Sequence, residues 1–110
     1  MSSDPQPDVF QAIATPIRRE MIRSLALNGD QSISRLSSGY TISRQAVTRH
    51  IQVLESSGVI FVNKVGREQI CQLNAAALRA VQEWVAFYEQ FWDDKLDALG
   101  DYLQRTVADE

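Results

Sequence analysis

Residues 31–54 read QSISRLSSGYTISRQAVTRHIQVL and carry the strongest structural signal in the chain. Their apolar spacing predicts a short helix, a turn at Ser38-Gly39-Tyr40, and a longer helix for which Ser43 is a natural N-cap. Residues 60–73, IFVNKVGREQICQL, follow as two strand-forming runs joined by Gly66-Arg67, the composition of a tight hairpin. This order predicts a winged helix-turn-helix, a fold that places one helix in the major groove of duplex DNA.

Two further helices are predicted before this segment. Val9, Phe10 and Ile13 lie at helical spacing and predict a short first helix. Thr15-Pro16 favours the start of a second helix, and Asn28-Gly29 favours its end. The preceding residues 1–8, MSSDPQPD, are expected to form a flexible leader.

A long helix is predicted after the hairpin. Asn74 is expected to cap it, and strong helix formers and an apolar stripe extend it over about residues 75–107. The predicted fold class is therefore mainly α with a small β-hairpin, in the order of four helices, two strands and a fifth helix. Residues 9–110 are expected to form one domain for DNA binding and dimerisation.

Composition excludes several classes of protein. The chain has 110 residues, of which 45% are hydrophobic and 23% are charged, as in an ordinary globular domain. No apolar run approaches the roughly 20 residues of a membrane span, and the N-terminus has no signal-peptide pattern. Cys71 is the only cysteine, so an intrachain disulfide is impossible. These features favour the cytoplasm, and the absence of catalytic motifs predicts that the chain is not an enzyme.

The charge distribution separates two parts of the chain. Residues 10–70 carry eight basic and four acidic residues, a net charge of +4, although the whole chain has a net charge of −3. Residues 71–110 carry three basic and eight acidic residues. A basic middle with an acidic tail indicates one face toward DNA and another turned away from it.

The helix begun by Ser43 carries the side chains that could read DNA. Its apolar residues would anchor one side, and the other side would present polar and basic residues. Arg can bond guanine and Gln can bond adenine with two hydrogen bonds each, whereas Ser and Thr suit phosphates. Arg and Lys in the hairpin could reach neighbouring phosphates, and two arginines of the second helix could contact the backbone or form internal ion pairs. The predicted DNA-binding set is Ser43, Arg44, Gln45, Thr48, Arg49, Gln52, Lys64, Arg67, Arg18 and Arg19.

Three blocks of the sequence resemble the ArsR-type family of bacterial winged-helix repressors. They are TPIRREMIRSL, SRQAVTRHIQVLESSGVI and GREQICQL, in order and at the right spacing, within a likeness that runs roughly from Phe10 to Leu103. The resemblance implies a homodimer that binds double-stranded DNA and blocks transcription by covering a promoter.

The chain departs from the metal-sensing members of that family. Ser32 and Ser34 stand where those members carry a Cys-Val-Cys pair, and the last helix has no histidine. Hydroxyls are poor ligands for soft metals, so no metal and no cofactor are expected. His50 is interpreted as packing under its helix or bonding a backbone or phosphate group, and Cys71 as a buried, inert thiol. Acidic residues of the last helix are read as a solvated face rather than a hard-cation site.

The last helix also predicts the dimer. Its apolar stripe is longer than a small winged-helix core can cover, and burial against a second copy is the simplest solution. The predicted seam comprises Val9, Phe10, Ile13, Val85, Tyr88, Trp92, Leu96, Leu99 and Leu103. Two alternatives stay open: a winged helix that serves as a protein-interaction module, and a repressor whose unidentified effector binds the aromatic residues of this helix.

Overall fold

The structure, a computed structural model, describes residues 7–108. Its elements follow the chain as α1 (Val9–Ala12), α2 (Pro16–Asn28), β1 (Gln31–Ser32), α3 (Ile33–Ser37), α4 (Arg44–Ser56), β2 (Ile60–Val65), β3 (Glu68–Leu73), a 3₁₀ turn (Ala75–Leu78) and α5 (Arg79–Ala108). The mainly helical winged helix-turn-helix predicted from the sequence is confirmed.

The described residues divide into two compact units, with the boundary between Arg79 and Ala80. The first unit, called the body below, holds α1 to α4, the strands and the 3₁₀ turn. The second is the remainder of α5. The single domain expected over residues 9–110 stays a prediction.

The core of the body is built from apolar faces that the helical spacing predicts. Met21 and Leu25 of α2 pack inward with Leu36 of α3, and all three are at most 3% exposed. Val47, Ile51 and Leu54 form the buried face of α4. Their burial, worth about 1.5–3 kcal/mol for each large side chain, fixes α4 against the body and leaves its other side in solvent.

The wing is a three-stranded antiparallel sheet in the order β1-β3-β2. Val65 pairs with Glu68, so Gly66 and Arg67 form a two-residue turn. Gly66 has φ +62°, the left-handed conformation that a tight hairpin demands at its first central residue. The sequence did not predict β1. This strand has two residues, Gln31 and Ser32, which pair with β3 along the edge that β2 leaves open.

The first helix begins at Val9, the residue at which the sequence predicted it. Asp8, the last residue of the predicted leader, is the N-cap of α1: its carboxylate accepts from the Gln11 amide while the Gln11 side chain accepts from the Asp8 amide, at 2.9 and 3.0 Å. Residues 1–6 of that leader lie outside the described part of the chain.

The predicted start of the last helix needs a correction at Asn74. Its side chain makes no cap bond, and a 3₁₀ turn follows it at Ala75–Leu78. The α-helix α5 therefore begins only at Arg79. The Asn74 amide instead donates to the carbonyl of Gly58 at 2.8 Å, and its backbone N–H donates to Val59 at 2.8 Å. Asn74 thus joins the end of β3 to the end of α4.

Candidate nucleic-acid interface

The fourth helix presents a polar face opposite its buried one. Ser43 caps the helix as predicted, since its hydroxyl accepts from the Ala46 N–H at 3.1 Å. Five of the predicted DNA-binding residues then line one shallow groove of about 560 Å³, called the reading groove below: Arg44, Gln45, Thr48, Arg49 and Gln52. All but the half-buried Thr48 are exposed. The groove therefore presents guanidinium and amide groups, which can bond base edges, from a helix whose position is fixed by the core.

The wing brings a further cation close to this face. Arg67 and Lys64 are both exposed near the hairpin tip. Arg67 lines a cleft together with Arg44 and Thr48 of α4, whereas Lys64 is not among the residues lining it. The structure therefore places Arg67 beside the start of α4 and leaves Lys64 outside that cleft.

The arginines of α2 have internal partners. Arg18 donates from Nε to the carbonyl of Ala12 at 2.7 Å and from Nη2 to that of Gln11 at 2.9 Å. Arg19 donates from Nη1 to the carbonyl of Ile13 at 2.6 Å. These bonds satisfy backbone carbonyls at the C-terminal end of α1, so both side chains are tied to their own chain by carbonyl bonds. The sequence had left contacts with the DNA backbone and internal ion pairs open as alternatives.

Arg18 also reaches α4. Its Nη1 lies 3.1 Å from Nδ1 of His50, and because arginine can only donate, that ring nitrogen must be the acceptor. Burial, and then the positive charges of Arg18 and Arg49, lower the pKa of His50 below its usual value. A neutral His50 is therefore a structural link between α2 and α4, a partner that the sequence did not identify.

Cys71 lies in the core of the body. It is fully buried in β3, and burial, reinforced by the charge of Glu55, raises the pKa of its thiol to about 11. A buried, protonated thiol is a poor nucleophile, which agrees with the interpretation of Cys71 as an inert residue.

The residues predicted for the dimer seam fall into two groups. Val9 is only 9% exposed and belongs to the core of the body, Ile13 is half-buried, and Phe10 is 41% exposed. On α5, Val85 is half-buried, while Tyr88, Trp92, Leu96, Leu99 and Leu103 are between 38% and 64% exposed. The same helix holds three edge-to-face ring contacts, made by Trp84, Tyr88, Phe87 and Phe91 at centroid distances of 4.9 to 5.6 Å. The helix thus offers a continuous stripe of apolar surface.

Hydroxyls with other partners occupy the positions that carry metal-binding thiols in the family that the sequence resembles. Ser32 caps α3 by accepting from the Arg35 N–H at 3.1 Å, and Ser34 accepts from Arg44 Nη2 at 3.4 Å. Within residues 7–108, no group of three or more His, Cys, Asp or Glu side chains is arranged to hold a metal ion. In the same range, no helix combines the length and apolar character needed to cross a bilayer.

Comparisons with known proteins agree with this geometry. A family model described as winged helix-turn-helix DNA-binding matches residues 15–60. The crystal structure of an ArsR family transcriptional regulator, RHA00566, is similar with a TM-score of 0.68 and 32% identity, and the match covers 76% of this chain and 86% of that one. The chain belongs to the ArsR family.

Two relatives of this ArsR family member carry regulatory names. The HTH-type transcriptional regulator Rv2034 of Mycobacterium tuberculosis (strain ATCC 25618 / H37Rv) is 29% identical over 93 residues, which span 84% of this chain and 83% of the relative. The transcriptional repressor SdpR of Bacillus subtilis (strain 168) is 26% identical over 89 residues, which span 81% and 98%. The protein is a DNA-binding transcriptional regulator, as the sequence predicted.

Proposed function

We propose that this regulator is a homodimeric repressor that reads a near-palindromic operator with α4 and needs no bound metal. The observation that carries the proposal is the reading groove, in which two arginines, two glutamines and a threonine converge on the exposed side of a helix anchored by Val47, Ile51 and Leu54. Groups of this kind distinguish base pairs in the major groove.

The dimer is proposed from the stripe on α5. Trp92, Leu96, Leu99 and Leu103 recur at steps of three and four residues, and each is more than half exposed in the single chain. Such a surface is costly in water, and the same stripe of a second copy covers it by two-fold symmetry. Two α4 helices would then read successive major grooves about 34–36 Å apart. Val9 is left out of this seam because it is buried in its own body.

Repression and metal independence follow from two further observations. A relative matched over 98% of its length is named a transcriptional repressor, and a dimer bound across a promoter obstructs transcription by occupancy. Ser32 and Ser34 already serve as a helix cap and as the partner of Arg44, and neither supplies a thiolate. About one dialysis-resistant zinc per subunit in elemental analysis would contradict the metal-free proposal. Since its target is DNA, we place the protein in the cytoplasm and assign it no catalytic role.

The test compares a reading variant with a matched control. Gln45→Ala removes an exposed amide from the reading groove, and Gln72→Ala removes an exposed amide from β3, outside that groove. A duplex recovered from a random pool by selection with the parent protein serves as the operator. We expect Gln45→Ala to cost about 1–3 kcal/mol of binding free energy and to relax the preference at one base pair. If Gln45→Ala binds the operator with the same affinity and base preference as the parent and the Gln72→Ala control, the proposal that α4 reads the bases is wrong.

A further inference from the structure

A cleft of about 310 Å³ separates the start of α4 from the wing. Arg44 and Thr48 form the wall on the side of α4, Arg67 and Gln69 form the wall on the side of the hairpin, and Ser34 lies at the start of α3 between them. This space is called the wing cleft below. It is distinct from most of the reading groove, because Gln45, Arg49 and Gln52 do not line it.

The lining of the wing cleft is rich in hydrogen-bond donors. Two guanidinium groups and the Gln69 amide can donate, and so can the hydroxyl of Thr48. Ser34 accepts from Arg44 Nη2 at 3.4 Å, which leaves the Ser34 hydroxyl proton available for another acceptor. Among the lining residues within the described range 7–108, Glu68 is the one acidic residue, so the two positive charges of Arg44 and Arg67 face one negative charge there.

The strand pattern separates Glu68 from the donors. Side chains alternate between the two faces of a strand, so Gln69 shares its face with the buried Cys71, whereas Glu68 lies on the other face. Gln69 pairs across the hairpin with Lys64, and Cys71 pairs with Val62. The face of β3 that carries the buried Cys71 therefore continues toward the hairpin turn, where it carries Gln69 and forms one wall of the cleft.

The position of the cleft matches a feature of duplex DNA. When α4 enters a major groove and the wing reaches the adjacent minor groove, the phosphate backbone between the two grooves has to pass between α4 and the wing. Hydrogen bonds from Arg, Ser, Thr and Gln to phosphate oxygens are the commonest contacts in such complexes. The space between the two elements already carries these groups.

We infer that the wing cleft is a binding site for one phosphate group, with Ser34 and Gln69 as donors that supplement Arg44 and Arg67. The inference rests on the proposed function, in which the phosphate belongs to the DNA backbone. Ser34 also positions Arg44, because its hydroxyl accepts from that guanidinium at the edge between the cleft and the reading groove. The same chemistry would accept a free phosphate ion, and the experiment distinguishes the two sources.

The first arm is a chemical double-mutant cycle. Single methylphosphonates, which lack the phosphate charge, replace the phosphates of the selected duplex one at a time. Gln69→Ala is compared with Gln72→Ala, which removes the same amide from the opposite face of β3. A hydrogen bond to a charged group is worth at least about tenfold in affinity. We expect Gln69→Ala to weaken parent-duplex binding by about that factor, and Gln72→Ala to leave it unchanged.

At one phosphate, the methylphosphonate and Gln69→Ala together should cost no more than the larger single loss, because each removes the same contact. Arg67→Ala should show the same coupling and lower the slope of log affinity against log salt by about one unit, whereas the neutral Gln69→Ala should leave the slope unchanged. Binding by Gln69→Ala that equals binding by the parent would count against a DNA phosphate in the cleft. The same conclusion would follow if, at every phosphate, the methylphosphonate and Gln69→Ala reduced the affinity independently of each other.

The second arm uses inorganic phosphate without DNA, at constant ionic strength. A saturable change in the NMR signals of the Gln69 side-chain amide, absent for Gln72 and lost in Arg44→Ala, would assign the cleft to a free phosphate even without coupling in the first arm. Coupling to one DNA phosphate without such a change would assign it to DNA. If neither the NMR change nor the coupling to a DNA phosphate is seen, the proposed phosphate site is overturned. A parent that binds no duplex at all would overturn the proposed function, and the phosphate titration would still decide on the cleft.

Discussion

Arg18 links two parts of the body through a single guanidinium. It donates to the carbonyls of Gln11 and Ala12 at the C-terminal end of α1, and its third contact is Nδ1 of His50 on α4. The sequence predicted Arg18 to face DNA or an acidic partner because its charge is visible in a sequence and the carbonyls it satisfies are not. Arg18 therefore bonds α4 from a position outside the reading groove.

This link predicts a pH dependence of stability. Folding lowers the pKa of His50 below its ordinary value of 6.5, so the unfolded chain binds the proton more tightly than the folded chain. The free energy of unfolding must then fall as the pH decreases through about 6.5, and the loss continues down to the folded pKa. His50→Gln keeps an acceptor for Arg18 but cannot titrate.

Urea unfolding at about pH 7.5 and about pH 5.5 measures the effect, because the histidine of the unfolded chain titrates between these two values. The parent should lose more stability between the two pH values than His50→Gln does. Equal losses in the two proteins would show that His50 does not couple protonation to folding.

Among the secondary-structure elements, those with strong local signals were predictable. Ser43 and the apolar spacing behind it identified α4, and Gly66-Arg67 identified the hairpin, because caps, periodicity and tight turns are properties of neighbouring residues. The strand β1 has two residues and no periodicity, and it exists because the edge of β3 offers partners about 40 residues away. Asn74 resembles a cap in sequence, but its amide bonds Gly58 across the body.

The candidate site shows the same division. The helical period predicted the reading groove from sequence alone. Gln69 and Ser34, which we propose as phosphate donors, were not in the predicted set because neither lies on the predicted reading helix nor carries the charge that singled out Lys64 and Arg67 in the hairpin. Strand alternation places Gln69 on the same face as Cys71 and could have suggested it. The wing cleft is formed by three elements distant in sequence, so no local pattern could reveal its shape.

The end of α4 supports a prediction about backbone geometry. Gly58 has φ +82°, and a Cβ built there meets no atom of the described residues within 4 Å, so the cost of a side chain comes from the backbone conformation. The Gly58 N–H bonds Glu55 and the Val59 N–H bonds Leu54, both at 3.0 Å, which is the Schellman pattern that favours glycine.

Gly58→Ala should therefore destabilise the body by about 1 kcal/mol, and Gly58→Asn should cost less because asparagine tolerates left-handed conformations. Chemical denaturation of the three proteins gives the comparison. An alanine variant as stable as the parent would contradict the strain assigned to this position.

At the level of the whole molecule, a dimer would meet two separate requirements, one set by the reading face of α4 and one by the apolar stripe of α5. Specific DNA recognition by a domain this small benefits from two reading helices, and the exposed stripe needs a cover. Leu99 is 53% exposed near the middle of that stripe. Gln90 lies on the opposite side of the same helix.

Leu99→Asp should convert the dimer to monomers and abolish operator binding, because a carboxylate in an apolar seam is desolvated without a partner. Gln90→Asp adds the same charge outside the seam and should change neither property. Sedimentation at micromolar concentration separates the species. A parent that sediments as a monomer, or a Leu99→Asp variant that remains dimeric, would refute the proposed seam.

The role of the molecule as a DNA reader is tested by one titration series. The affinity of the parent is measured for its selected duplex and for a base-scrambled duplex of the same length, over a range of salt concentrations. Contacts from several arginines and a lysine to phosphates should make log affinity for both duplexes fall linearly with log salt. The selected duplex should bind at least about a thousandfold more tightly than the scrambled one at physiological salt. Affinities that are independent of salt, or equal for the two duplexes, would contradict sequence-specific binding by α4 and favour a protein-interaction module.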